Sequence, residues 1–272
     1  MSQKKPFKTH DLITMKQFEG GWIWLKNLEE FIQQFIQVFE KNKKTTDLNQ
    51  IVKIIKGKID YNWKIYDDTQ WLITIQPFKN NYLLFIYNEN EEFGSEIKIF
   101  FNKSFLQDVP TEDAYYIVEL YLKLLTRLFD SSETNKMLIS EDIISIDELL
   151  DIVDKENKEK LRYEILEIRA KIINMIPIDI IREIAKKLNG KFYSNNWNDM
   201  KIDWCLAFSP FNEVKIYQTL IKNNFQIFYS ISVLKFHSAR DILFFSWIYC
   251  NGIIREARKK MGDKLPKLSK YL

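Results

Sequence analysis

A stretch running from Gly57-Lys58 to Pro77-Phe78 recurs as Gly190-Lys191 to Pro210-Phe211, 133 positions further along the chain. In each copy a Trp stands fourteen positions after the Gly (Trp71, Trp204), and Pro-Phe follows six positions after the Trp. Four anchors in one register are hard to obtain by chance in 272 residues holding only seven Gly, seven Trp and six Pro. Self-similar spacing constrains a fold strongly, because each copy must form the same supersecondary unit. The expectation is a tandem duplication, with a first module over residues 1–133 and a homologous second over 134–272.

Periodicity fills in each module. Leu28, Phe31, Ile32, Phe35, Ile36 and Phe39 recur at three- and four-residue steps, which predicts an amphipathic helix from Leu25 to about Lys43. Asp47 offers an N-cap for a shorter helix, Leu48 to Lys56, and Gly57 is expected to supply its left-handed stop. The period then becomes alternating, which predicts strands over 58–66, 71–78, 82–87 and 96–102, followed by a helix from Pro110 to about Phe129. In the second half an acidic segment, Glu141 to Asp154, predicts a short helix with no counterpart in the first. The programme then repeats: a long helix 158–175, a second helix 178–188 stopped at Gly190, strands near 191–194, 204–211, 214–221 and 225–234, and a helix from Ala239 to about Lys260 capped by Ser238. At the 133-residue offset Leu161, Ile165, Ile168 and Ile172 fall on Leu28, Ile32, Phe35 and Phe39, so apolar phase is kept where identity is lost. Each module reads helix, helix, three or four antiparallel strands, helix, which is an α+β fold, and two such copies are expected to pack as a pseudo-dimer.

Composition excludes several classes. Apolar residues make up 46% and aromatics 15%, enough for a sizeable core, and 40 basic against 37 acidic side chains leave a net charge of only +3. No global field for nucleic acid or membrane follows from that balance. The N-terminal MSQKKPFKTHDL lacks an apolar core and is not read as a signal peptide. The most apolar run, Asp241 to Arg255, holds about 13 uncharged residues, short of the ~20 that span a bilayer. Cys205 and Cys250 sit in apolar runs with no metal-ligand spacing, so they read as buried reduced thiols of a cytoplasmic protein.

The usual catalytic sets are missing. There are two histidines: His10 in the polar lead-in and His237 before the last helix. No Gly-rich phosphate loop, nucleophile elbow or kinase signature occurs, and no cofactor is implied. One pattern has catalytic form. Glu96-Ile97-Lys98 opens a strand with Asp67 and Asp68 upstream, and Glu213-Val214-Lys215 follows Asp203. This resembles the PD-(D/E)xK nucleases, built on a helix, three strands, a helix and another strand. The resemblance implies that Asp68 and Glu96 hold a divalent ion while Lys98 steadies the attacking water. A solvent-facing Glu-Lys pair on an alternating strand explains the same residues, and the two instances fall on different strands of the repeat.

Two features suit a partner. Trp22 and Trp24 follow Gly20-Gly21 as indoles in need of cover, on the first helix or on a partner surface. Arg255, Arg258, Lys259 and Lys260 begin a basic run that continues through Lys264, Lys267 and Lys270, opposite in sign to the acidic segment. The chain is read as a non-catalytic protein-interaction or adaptor protein. The alternative is a nucleic-acid-acting protein, binding through the basic tail or cutting through Glu96 and Lys98. A small-molecule pocket at the seam between modules is a third reading, with no polar constellation to specify its ligand.

Overall fold

The computed structural model describes residues 8–130, 142–153, 156–212, 214–230 and 238–271. The chain divides into two compact units, Met1–Lys136 and Met137–Leu272. Each combines helices with one five-stranded antiparallel sheet, so the fold is α+β.

The first unit runs β1 (Leu12–Ile13), α1 (Gly21–Asn42), α2 (Leu48–Ile54), β2 (Lys58–Asp60), β3 (Thr69–Phe78), β4 (Asn81–Asn90), β5 (Gly94–Asn102), α3 (Lys103–Asp108) and α4 (Thr111–Asp130). Its sheet has the order β1-β5-β4-β3-β2. The stripe of α1 buries Leu28, Phe35, Ile36 and Phe39, as its spacing dictates. Phe39 meets three rings edge-on: Trp71 at 5.5 Å, Tyr87 at 4.9 Å and Phe129 at 5.0 Å. Helix α1, sheet and α4 thus share one aromatic core, of the kind that dominates burial energetics. A second cluster lies across the sheet, where Trp63 packs with Leu72, Leu84 and Ile86.

Three expectations change here. Helix α1 begins at Gly21 rather than Leu25, so Trp22 and Trp24 belong to its first turn. Strand β2 ends at Asp60 rather than continuing to Tyr66. The Asp60 carboxylate accepts the backbone N–H groups of Asn62 (2.8 Å) and Trp63 (3.0 Å), a local turn that competes with the ladder and brings Trp63 over the sheet. Leu12-Ile13, inside the polar lead-in, forms a strand against Phe101 and Asn102.

The second unit runs β6 (Ile143–Ser145), α5 (Ile146–Val153), α6 (Lys158–Arg162), a π-helical turn (Tyr163–Glu167), α7 (Ile168–Ile173), α8 (Ile178–Lys187), β7 (Lys191–Trp197), β8 (Met200–Phe208), β9 (Ile216–Ile221), β10 (Asn224–Ser230) and α9 (Ala239–Met261). Its sheet order is β6-β10-β9-β8-β7, the same arrangement as in the first unit. The register agrees as well. Trp71 pairs with Tyr87 and Trp204 with Leu220, Ile73 with Phe85 and Leu206 with Gln218, each 133 positions apart. The expected helix over 158–175 is interrupted by the π turn, whose Glu164 carbonyl accepts from the buried Arg169 guanidinium. Strand β10 is described only to Ser230, and Glu141, Asp154, Glu213 and His237 lie outside the described residues.

The helix stops are also corrected. The left-handed residues are Lys56 (φ 54°) and Asn189 (φ 55°), one position before the glycines. Gly57 N–H then bonds to the Val52 carbonyl and Gly190 N–H to the Ala185 carbonyl, both at 2.8 Å, the six-to-one closure of a Schellman motif. Space is tight at both glycines: a Cβ at 190 would stand 2.7 Å from the Phe208 ring, so the ring would have to shift, and one at 57 would stand 3.1 Å from Val52 Cγ1, which would have to give way slightly.

Candidate functional site

The two units differ at one end of the sheet. In the first unit the β3–β4 pair ends beside the last turn of α1, where Tyr87 stacks on Trp71 with centroids 5.2 Å apart and planes at 16°. The Tyr87 hydroxyl donates to Glu40 Oε1 and lies 3.1 Å from Ser95 Oγ. Ser95 Oγ also donates to Glu40 Oε1 (2.9 Å), and Lys43 Nζ reaches Glu40 (2.7 Å), Glu89 (2.9 Å) and the Tyr87 oxygen (3.3 Å). Burial alone would raise the Glu40 carboxyl, but the bonds from Lys43, Tyr87 and Ser95 outweigh it and hold Glu40 below its ordinary 4.5. The hydrogen bond to Glu40 raises the Lys43 ammonium, and desolvation, followed by Glu40, raises the Tyr87 phenol. All three groups are thereby fixed in their neutral-pH charge states, so the set is a lock and a poor proton shuttle.

A second chain of bonds closes the same end. Thr69 Oγ1 donates to Asn88 Oδ1 (2.9 Å), Asn88 Nδ2 donates to Glu96 Oε1 (3.0 Å), and Lys98 Nζ pairs with Glu96 (2.7 Å). The Lys98 ammonium lies 4.0 Å from the centroid of the Tyr66 ring. Ser95, Glu96 and Glu89 exist at this place because β4 and β5 run past Tyr87 to a turn at 91–93, pairing Asn90 with Gly94.

The second unit lacks that extension. Ile221 pairs with Asn224 across a two-residue turn, Lys222-Asn223, whose φ values of 49° and 62° fit the tight hairpin type. From Tyr87 to its partner Ile97 is ten residues; from Leu220 to its partner Phe225 is five. At the 133-residue offset, Glu40, Lys43 and Tyr87 become Ile173, Ile176 and Leu220. The aromatic beside the Trp moves one strand over, with Phe225 6.0 Å from Trp204. Bulk is kept and the hydroxyl is lost. What remains is an open cleft of about 760 Å³ lined by Asn174, Ile176, Asn195, Lys201, Asp203 and Trp204, among others.

Trp24 packs on Tyr115 at 4.7 Å, whereas Trp22 is 71% and Ile23 51% exposed. Arg255 and Arg258 are half-buried in α9. Arg258 donates to the Pro266 carbonyl, Lys259 pairs with Glu256 (2.6 Å) and Lys260 with Glu183 of α8. The acidic segment is also used locally. Asp147 pairs with Arg162 and Asp151 with Lys158, both at 2.7 Å. Glu148 and Ser145 form a capping box at the start of α5. Glu96 and Lys98 are brought together, with Asp68 close enough to act on the Lys98 charge. Among the described residues no group of three or more His, Cys, Asp or Glu side chains is placed to hold a metal ion. Burial pushes both thiols, Cys205 and Cys250, up to about 12, which leaves them protonated and unreactive at neutral pH.

Sequence reasoning missed Glu40, Lys43, Tyr87 and Ser95. The signal was present at the 133-residue offset, where Glu40, Lys43 and Tyr87 fall on Ile173, Ile176 and Leu220. Residues 1–123 match the model of a family described as a domain of unknown function, DUF3786. No curated protein and no solved structure matches the chain. Among the described residues no helix is long and apolar enough to cross a membrane.

Proposed function

We propose that the chain is a non-catalytic, cytoplasmic protein-interaction protein whose first unit docks a protein partner through the opening turn of α1. The observation carrying this reading is the contrast within that turn. Trp24 is anchored on Tyr115, while Trp22 and Ile23 stand 71% and 51% exposed. An exposed Trp beside an exposed Ile on a rigid helix is the residue type and setting that dominates protein interfaces. The basic residues of α9 speak for this reading over nucleic acid, since Arg258, Lys259 and Lys260 are each engaged within their own unit. Affinity purification after mild cross-linking tests the proposal. One partner in near-equal amount is expected with the wild-type chain and its loss with the Trp22→Ser, Ile23→Ser double variant at unchanged thermal midpoint. The same partner retained by the variant overturns the assignment. Salt-sensitive RNA or DNA binding that disappears on deleting 255–272 would favour the alternative instead.

We also infer that the two units descend from one duplicated module. Their common strand order and the hairpin register kept at 133 positions support this. A pseudo-dimer further requires that 1–136 and 137–272, produced separately, co-elute on mixing; independent elution removes that part of the reading.

A further inference from the structure

The extension of β4 and β5 ends in a finger that has no counterpart on β9 and β10, which close in the two-residue turn Lys222-Asn223. Past Tyr87 and Ile97 the strands stay paired as far as Asn90 and Gly94. The Asn90 carboxamide oxygen accepts the backbone N–H groups of Glu92 (2.9 Å) and Phe93 (3.1 Å), and Gly94 (φ 79°) turns the chain back. Bonds from Lys43 to Glu89, Ser95 to Glu40 and Asn88 to Glu96 brace the base. At the tip Phe93 is 83% exposed, more than Trp22 or any other large apolar side chain among the described residues. Glu91 and Glu92 beside it are exposed, and no described side chain pairs with their carboxylates. A ring held out on a braced hairpin is pre-organised for docking. Its two flanking carboxylates call for a receptor that is apolar at the centre and basic at the rim.

One surface of the second unit has that description. Lys171 of α7 sits between the rings of Tyr163 and Tyr271, 5.6 Å from each centroid, and Lys270 lies 5.9 Å from the Tyr271 ring. The Tyr163 hydroxyl donates to the Tyr271 carbonyl (3.3 Å), which ties the 3-10 turn Leu268–Lys270 to the π turn. The Tyr163 ring stays 42% exposed. Lys171, Lys267 and Lys270 are exposed, and among the described residues their ammonium groups make no ion pair or hydrogen bond. The neighbouring acid, Glu164, lies 3.9 Å from Lys160. We propose that the finger of one copy docks on this patch of a second copy, with Phe93 against Tyr163 and Glu91 and Glu92 toward Lys171, Lys267 and Lys270. Two different surfaces meet, so the contact is heterologous and copies add head to tail. The inference is independent of the docking turn on α1.

Sedimentation of the full chain at rising concentration tests it. Reversible growth beyond the dimer is expected. It should weaken about tenfold or more between about 0.1 and 1 M salt, where the screening length shrinks from about 10 to 3 Å. Phe93→Ser should weaken it about tenfold or more, the scale of one apolar side chain returned to water. The Glu91→Lys, Glu92→Lys variant and the Lys267→Glu, Lys270→Glu variant should each be monomeric alone. Mixed together they should associate, because the mixture restores opposite signs at every contact. Glu29→Lys, Glu30→Lys, the same charge change on the exposed side of α1, should associate as the wild type does. Thermal midpoints check that the variants, all of exposed side chains, remain folded. A finger that serves another protein would leave the chain monomeric to about 1 mM, the weak end of meaningful affinity, and that result overturns the proposal. Association that survives Phe93→Ser, or that the mixed variants fail to restore, overturns it equally.

Discussion

Trp71 and Trp204 occupy the same step of the same strand in two sheets of one topology, and their surroundings differ in kind. Around Trp71 the chain builds a polar lock from Tyr87, Glu40, Lys43 and Ser95. Around Trp204 the matching positions are Leu220, Ile173 and Ile176. A scaffold of one register can therefore carry a part-buried polar network at this end in one unit and apolar side chains beside an open cleft in the other. The lesson is that polar groups need partners wherever they are buried. The β4–β5 extension supplies Ser95 and Glu89 as those partners, whereas the short Lys222-Asn223 turn offers its Asn223 backbone to Asp203 and Asn174 and goes with apolar neighbours around Trp204.

The largest effects should come from the tryptophans themselves. Trp71→Ala and Trp204→Ala should each destabilise their own unit by about 3–5 kcal/mol, the cost of emptying a large buried site. Chemical denaturation followed by unit-specific probes is the measurement, since a chain of two units need not unfold in one step. The comparison sharpens with Phe. The Trp71 indole nitrogen is buried without a hydrogen-bond partner in the described structure. Trp71→Phe should accordingly cost less than Trp204→Phe, by about 1 kcal/mol, the penalty an unmet donor already exacts.

Next in size is the reciprocal exchange. Tyr87→Phe removes the hydroxyl that donates to Glu40, and with the carboxylate partly solvated the expected loss is about 1–2 kcal/mol. Leu220→Tyr in the second unit inserts a ring and a hydroxyl where Ile173 and Ile176 offer no acceptor, at a cost of about 1–3 kcal/mol. Equal tolerance of both exchanges would break the comparison.

Acid should probe the lock more gently. The Glu40 and Glu96 carboxyls are held below 4.5 in the folded chain, though burial pulls the other way. A depressed carboxyl contributes stability that is present above its unfolded value and lost as pH falls through the folded one. Denaturation midpoints of the first unit should therefore drop as pH falls below about 4.5, and Glu40→Gln should flatten that dependence. Both groups are part-exposed, so solvent screening keeps the effect small. Smallest of all is Glu96→Gln. Its pair with Lys98 is solvent-facing on both sides, and the change should stay within about 0.5 kcal/mol.

Much of the fold was legible in the sequence, and the reasons are physical. The spacing of Leu28, Phe35 and Phe39 reports a helix face, and WLITIQPF and YLLFIY report strands, because burial on one side imposes its period directly. Strand β1 was hidden because two residues are too few to show any period, and its pairing with Phe101 is a long-range contact. The end of β2 was hidden because a single carboxylate, Asp60, diverts the backbone. The functional readings depended less on pattern. Glu96 and Lys98 are adjacent as their spacing implied, but Glu40 and Tyr87 stand 47 positions apart, and only folding joins them. The basic run looked free in sequence because its partners, such as Glu183 and the Pro266 carbonyl, lie on other turns of the chain.

The first unit's sheet end is held shut by the Tyr87 network, whereas among the described residues no such device holds the second unit's end. Hydrogen exchange of the full chain, wild type against Tyr87→Phe, tests it most directly. The amides of Asn88, Glu89, Ser95 and Glu96 should be protected in the wild type and exchange faster in the variant, with those of Asp203, Leu220 and Phe225 unchanged. Exchange at 88–96 that is already fast in the wild type, or that does not respond to loss of the Tyr87 hydroxyl, would contradict it.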